Sequence, residues 1–376
     1  MKSRRSLRLA STLTVVASAV AALVAATVAG AAPAAKVKIP PNPLKGVLKQ
    51  VAGLKIAARE AKLHQLALKE GGTVTVYTSL SKSIYPDVQK AWAQTYPDIK
   101  LSIYRASSED VFAKAVNEAN AGTHGADIVE TNGPEMYFLQ HAKNVLVPYR
   151  GSPFASALPK AYRFDSFTAD RVDTFVVAWN TNLVKNPPKT IKDLADPKWK
   201  GQLGLEPTDV DWYAALFDYF TTQAKPKMSA AAATAMFKKI GANSQIINGH
   251  TTLANDLAAG QISVVVDGHS QSIEALKMKG APVELAPVVT PVLQRPQGMG
   301  ITYTTVHPAA ALLWYDWMLS KDGQSVLRKA GAEGSNPYYR DPVFAHVGVI
   351  PEDMRPIVTH YQEWTKKNQQ ITGVSG

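Results

Sequence analysis

Gly71 to Leu80 reads GGTVTVYTSL, Gly125 to Glu135 reads GADIVETNGPE, and the residues between them carry helical spacing. Val74, Val76 and Tyr77 form a short apolar run that stops at Thr78-Ser79-Leu80-Ser81, a segment with the chemistry of a helix N-cap. Ser81 to Tyr96 then carries Ile84, Val88, Trp92 and Tyr96 four apart, with Pro86 in the first turn. A second unit follows. Lys100 to Tyr104 alternates as a strand, Ser107 and Ser108 stand at a helix start, and Val111, Phe112, Ala115, Val116 and Ala119 share one face. Ala126 to Val129 is a third strand, closed by Thr131-Asn132-Gly133-Pro134. Strand, polar loop and helix in alternation predict an open α/β sheet, and such sheets bind ligands beyond the carboxyl ends of their strands.

The pattern continues downstream. Thr174 to Trp179 and Trp199 to Glu206 read as strands, Asp211 to Thr222, Ala230 to Ile240 and Thr251 to Ala259 as helices. Ile262 to Val266 is another strand and Ser272 to Lys279 another helix. Val283 to Ile301 carries three prolines and reads as a return crossing, ahead of closing helices at Ala309 to Leu319 and Gly323 to Lys329.

Five segments, taken in order, resemble one known family. They are VYTSLSKSIYPDVQKAWAQTYPDI from Val76, YRASSEDVFAKAV from Tyr104, ADIVETNGPEM from Ala126, WKGQLGLEPTDVDWYAAL from Trp199 and HPAAALLWYDWMLSKDGQSVL from His307. The family is that of the extracellular solute-binding proteins of ABC importers related to ferric-ion-binding proteins, and the likeness spans about Leu66 to Pro342. It implies a two-lobed type II periplasmic-binding-protein fold with a hinge and an interlobe cleft. It also implies the crossings, near Val176 and Val288. The lobes expected are 71–176 plus about 285–320, and 177–284 plus about 321–376. The implied partners are a small-molecule or ion ligand and an ABC permease of the inner membrane. The protein is expected to be a monomer without cofactor and without enzymatic activity.

The chain has 376 residues, 46% of them hydrophobic, enough for two lobes. Lys2, Arg4, Arg5 and Arg8 precede an apolar run from Leu9 to Val28 and the small residues Ala29-Gly30-Ala31, so residues 1–35 read as a cleaved signal peptide. Ser3-Arg4-Arg5-Ser6-Leu7-Arg8 admits a twin-arginine route as well as the general one. The expected compartment is the periplasm. There is no cysteine, which excludes disulfides, thiolate metal sites and a lipidated cysteine. The net charge of +11 sits in the signal and in a lysine-rich stretch from Lys36 to Glu70, leaving the rest nearly neutral. A nucleic-acid-binding surface is therefore not expected. Residues 36–70 form a basic amphipathic extension, with Leu44, Val47, Val51, Leu54, Ala58, Ala61 and Leu68 on one face. It reads either as a helix packed on the first lobe or as a surface- or partner-binding segment.

Candidate ligand contacts follow from polar residues at element ends. Ser79 and Ser81 lie in the first loop, where capping explains them as well as an anion does. Arg105 and Ser108 repeat the theme, and Glu130 and Asn132 end the third strand. From the second lobe come Asp209, which also reads as a helix cap, and Asp211 with Trp212, a carboxylate beside an aromatic suited to a cation or to a sugar-like or amine-bearing solute, with His250 and His269 at further element ends. Ferric-ion-binding relatives place an adjacent tyrosine pair after the strand Ile262 to Val266. This chain has Asp267-Gly268-His269-Ser270 there, so the resemblance leaves the metal ligands unassigned; the expected solute is small and polar or charged, with ferric iron, an iron–anion complex or another metal held by Asp, Glu and His all open. No nucleophile elbow, Walker loop or H-E-x-x-H helix is present. An exported hydrolase of small polar substrates is the enzymatic alternative.

Overall fold

The computed structural model describes residues 40–373 except Ser83 and Arg340; the expected signal peptide lies outside them. The core strands are β1 (Thr73–Thr78), β2 (Lys100–Arg105), β3 (Ile128–Asn132), β4 (Thr168–Asn180), β5 (Leu203–Leu205), β6 (Ser244–Ile246), β7 (Val264–His269), β8 (Val283–Glu284) and β9 (Val292–Ile301). They run in the order β2-β1-β3-β9-β4-β7-β5-β6, and β8 pairs with β4. β1 is parallel to β2 and β3, and β5 is parallel to β6 and β7. Between these two parallel groups stand β4 and β9, which pair antiparallel with each other. This is the alternating architecture expected, built twice and joined in the middle.

Two long strands therefore bridge two interiors. Val172, Met299 and Ile301 belong to a core with Val74, Val76, Trp92 and Trp314, whereas Phe175 and Leu293 belong to one with Leu203, Trp212, Phe237 and Val264. The passage between the cores falls at Asp173-Thr174 and Gln294-Arg295, which face one another in register. Polar residues stand here in mid-strand, between the apolar stretches that enter the two cores. β4 runs from Thr168 to Asn180, through the first crossing expected near Val176, and β9 runs from Val292 to Ile301, just after the second expected near Val288, with Pro296 inside it.

The helix Pro308–Leu319 is buried from Ala309 through Leu319, so it must be covered on every side. The sheet supplies one cover. The outer cover comes from residues 44–69, through Leu44, Val47, Val51, Leu63 and Ala67. These residues form two helices, Lys45–Val51 and Ile56–Lys69, separated by a turn in which Gly53 has φ +72°. The break rotates the second helix relative to a continuous one, and Leu54, Ala58, Ala61 and Leu68 face solvent while Arg59, Leu63 and Ala67 face inward. The single amphipathic face expected there is thus corrected. Arg59 lies 2.7 Å from Asp316 and donates to the Tyr149 hydroxyl at 2.9 Å. Glu70 accepts the main-chain N–H groups of Ala309 and Ala310 at the start of the buried helix.

Two further boundaries differ from expectation. The helix Lys321–Lys329 packs through Leu327 against the first core, not the second. The C-terminal segment returns to both halves: Met354 joins the β3 side and Ile371 the β5 side. Ser107 caps its helix as expected, accepting from Asp110 N–H at 3.1 Å. The next helix begins at Tyr85, where the Ser81 carbonyl accepts the Ile84 and Tyr85 N–H groups, and Thr78 Oγ1 accepts from Leu80 N–H.

Candidate ligand site

Arg295, midway along β9, is the centre of an ionic group assembled from both halves. Its Nη2 lies 3.0 Å from Asp173 of β4, and its Nη1 lies 3.2 Å from Asp209 and 3.4 Å from Asp211. Asp209 and Asp211 are placed by the helix Val210–Asp218, whose start follows β5. Gln297 donates to Asp173 at 2.6 Å and Gln271 at 3.2 Å. His250 lies 3.1 Å from Asp209, and its ring stacks on His269 at 3.5 Å. Phe175 closes one side, with the Arg295 guanidinium 5.0 Å from its ring centre. On the first half, Arg171 pairs with Glu130 and, at 3.0 Å, with Asp170.

Charge in this space is unbalanced. Seven buried carboxyl groups, on Glu130, Asp170, Asp209, Asp211, Glu206, Asp267 and Glu352, stand against the guanidiniums of Arg171 and Arg295 and the His250 ring. Burial pushes Glu130 up to about 8 despite Arg171, and Glu135 up to about 7. Burial also carries Glu352 well above the ordinary carboxylate range, reinforced by Asp211. For Asp173 burial acts upward, but His269 and Arg295 hold it below that range. Burial lowers the His269 imidazole to about 3, so at neutral pH it is uncharged and Arg295 does the pairing. His250 is different: burial acts downward, yet Asp209 outweighs it and raises the ring to about 9.

Among the described residues, several buried atoms without a hydrogen-bond partner lie in or beside these segments, and others lie elsewhere. They include both carboxylate oxygens of Glu352, Glu135 Oε2, Gln271 Oε1, Gln297 Oε1, Arg295 Nε, Ser79 Oγ and Tyr85 hydroxyl. Orphans of this kind cost free energy unless a ligand satisfies them. A cavity of about 160 Å³ lined by Arg59, Tyr96, Phe154 and Trp317 lies elsewhere, under the helix Ile56–Lys69, and holds none of these atoms.

The expected contacts divide accordingly. Asp209, Asp211, His250 and His269 meet in one set, and Glu130 is tied to Arg171. Asn132 pairs in register with Gln297. Ser79 donates its main-chain N–H to Glu130, bringing its loop to the strand end. Ser81 and Arg105 are exposed, Arg105 bonding the Leu80 carbonyl, and Ser108 is buried in the first turn of its helix. Trp212 is a correction: it packs in the second core with its ring 6.0 Å from Phe237. Asp170, Arg171, Asp173, Arg295, Gln297, Glu135 and Glu352 were not foreseen. The signal available was the recurrence of charged residues within two apolar runs, Asp170-Arg171-Val172-Asp173 and Gln294-Arg295-Pro296-Gln297. For a metal ion, Glu206, Asp209 and His250 bring ligand atoms within 4.8 Å of one another.

Two α/β halves bridged by paired strands, with a polar set at the bridge, define a periplasmic-binding-protein fold. The family model for bacterial extracellular solute-binding proteins matches residues 88–332, more than half of the chain, and the chain belongs to that family. The Fe(3+)-binding periplasmic protein of Serratia marcescens is 23% identical over 276 residues, covering 66% of this chain and 75% of that protein. The periplasmic binding protein AfuA of Actinobacillus pleuropneumoniae, solved with fructose-6-phosphate, superposes with a TM-score of 0.64 at 22% identity, over 81% of this chain and 99% of that one. The Trichodesmium protein IdiA (FutA), solved with iron and citrate, gives 0.64 at 15% identity, over 80% and 99%. Among the described residues no helix is long and apolar enough to cross a membrane.

Proposed function

We propose that this protein captures a small, positively charged solute in the periplasm, between its two halves, and presents the closed form to an ABC permease. The observation that carries the charge assignment is Glu352, buried with both carboxylate oxygens unpartnered. A ligand cation seated against Glu352 and Glu135 would supply the missing hydrogen bonds and favour their ionised forms. Glu135 lies on the first half, Asp209 and Asp211 on the second, and Asp173 and Arg295 at the crossing between them, so a ligand touching all three stabilises the closed arrangement over an open one.

A metal cation is the second reading, favoured by the Glu206, Asp209 and His250 donor set. Iron, alone or as an anion complex, belongs here, since two of the similar proteins are described with it. Hydrolysis is disfavoured by the family, whose members are binding proteins.

The test is thermal unfolding and calorimetry with a short diamine, a quaternary ammonium ion, ferric ion, ferric citrate and a sugar phosphate. An amine probe is expected to raise the melting temperature, by about 2.7 kcal/mol of added stability at a hundredfold excess over its Kd. Glu352→Gln should abolish the shift. A response to the sugar phosphate alone would overturn the charge assignment, and conversion of any probe would overturn the binding role.

A further inference from the structure

A separate group of metal-ligating side chains sits on the first half. His124 lies in the loop before β3, Asp127 directly precedes that strand, and His307 bounds the helix Pro308–Leu319 at its N-terminus. One ligand atom from each lies within 4.8 Å of the others. His307 Nδ1 is 3.1 Å from Asp127 Oδ2, His124 Nε2 is 4.0 Å from Asp127 Oδ1, and the two rings stand edge to face at 5.6 Å. Donors that hold one zinc ion at about 2.0–2.1 Å in tetrahedral geometry stand about 3.3 Å from each other. The separations here bracket that value, so small side-chain rotations bring the three into place.

The surroundings already orient these groups. His124 Nδ1 is 2.9 Å from the Thr304 carbonyl, which fixes the proton on that nitrogen and leaves Nε2 with its lone pair toward Asp127. Asp127 is fully buried; its Oδ2 accepts from Thr75 N–H at 2.8 Å and its Oδ1 from the Thr305 hydroxyl at 2.6 Å. The remaining lone pairs of Oδ1 and Oδ2 face His307 Nδ1 at 3.3 and 3.1 Å, and an ion held by both residues would take the place of the proton in that contact. His124 is partly exposed, which leaves a path for entry and room for water as a fourth ligand. Glu70, bonded to the same helix start, adds a neighbouring carboxylate.

We propose that His124, Asp127 and His307 form a site for a divalent transition metal such as zinc, distinct from the solute site. The ion would fasten the loop before β3 to the start of the buried helix, as a clamp on the first half. In the alternative, His307 and Asp127 form a plain ion pair and no metal enters.

Cobalt and zinc titrations of chelator-treated full-length protein test this. One equivalent of cobalt should give the visible absorption of a tetrahedral site, and zinc should raise the melting temperature. His124→Ala should weaken both by tenfold or more without lowering the metal-free melting temperature, and His307→Gln should do the same to the metal response, while His250→Gln should leave both intact. Absence of a cobalt band with excess metal overturns the proposal. So does binding that survives His124→Ala but is lost in His250→Gln, because that places the ion at the Glu206, Asp209 and His250 group.

Discussion

The buried charges under the helix Ile56–Lys69 and those at the crossing of β4 and β9 are opposites. Arg59 meets Asp316 one to one through Oδ2, only Oδ1 being left over, and reaches Tyr149 as well, and Glu70 receives two main-chain N–H groups. At the crossing, Arg295 is shared by three carboxylates, and the Glu352 carboxylate has no hydrogen-bond partner among the described residues. Buried charge that is matched reads as architecture. Buried charge left over reads as a place kept for something else.

Breaking the matched side should have the largest effect on stability. Asp316→Ala leaves the Arg59 guanidinium buried without its partner and is expected to cost on the order of 3–5 kcal/mol in denaturant unfolding. Leu63→Ala removes a fully buried side chain from the cover over the same helix and should cost about 2–4 kcal/mol, with solute binding retained. An intact melting temperature in either variant would show that residues 44–69 are not part of the first core.

The crossing sharpens the contrast through pH. The His250 ring is raised to about 9 in the folded protein, so its contribution is complete below its unfolded value near 6.5 and is lost as pH rises through 9. His250→Gln should flatten the fall in stability between those limits, measured as melting temperature against pH. The smallest effect belongs to Glu352→Gln without ligand. Its folded pKa lies well above its unfolded one, so the carboxyl contributes most at low pH and opposes folding as pH rises toward that folded value. Glutamine avoids this, and at neutral pH the empty variant should be unchanged or stabilised by up to about 1 kcal/mol. A large loss would mean that Glu352 has a structural partner.

Alternation was the legible part of this chain. Runs such as Val74 to Tyr77 and the spacing of Val88 and Trp92 depend only on near neighbours, and β1 and the helix after it follow from them. Asp209, Asp211, His250 and His269 could be singled out because they fall at element ends. The crossing was not legible, because Asp173 and Arg295 are partners only through the register of strands far apart in sequence. Pro296 concealed the strand around it. Gly53 likewise shifted the phase of the second N-terminal helix, so the face read from Leu54 to Leu68 was the wrong one. Trp212 read as a ligand platform for want of any local sign that Phe237 would take its ring.

The wholly buried helix Pro308–Leu319 also dictates the order in which the molecule can mature. Strands β1 to β3 have no complete interior until that helix arrives, and β3 lacks one of its neighbours until β9 does. Contacts so distant along the chain close slowly. A polypeptide wired this way is expected to refold slowly, as stopped-flow fluorescence would record.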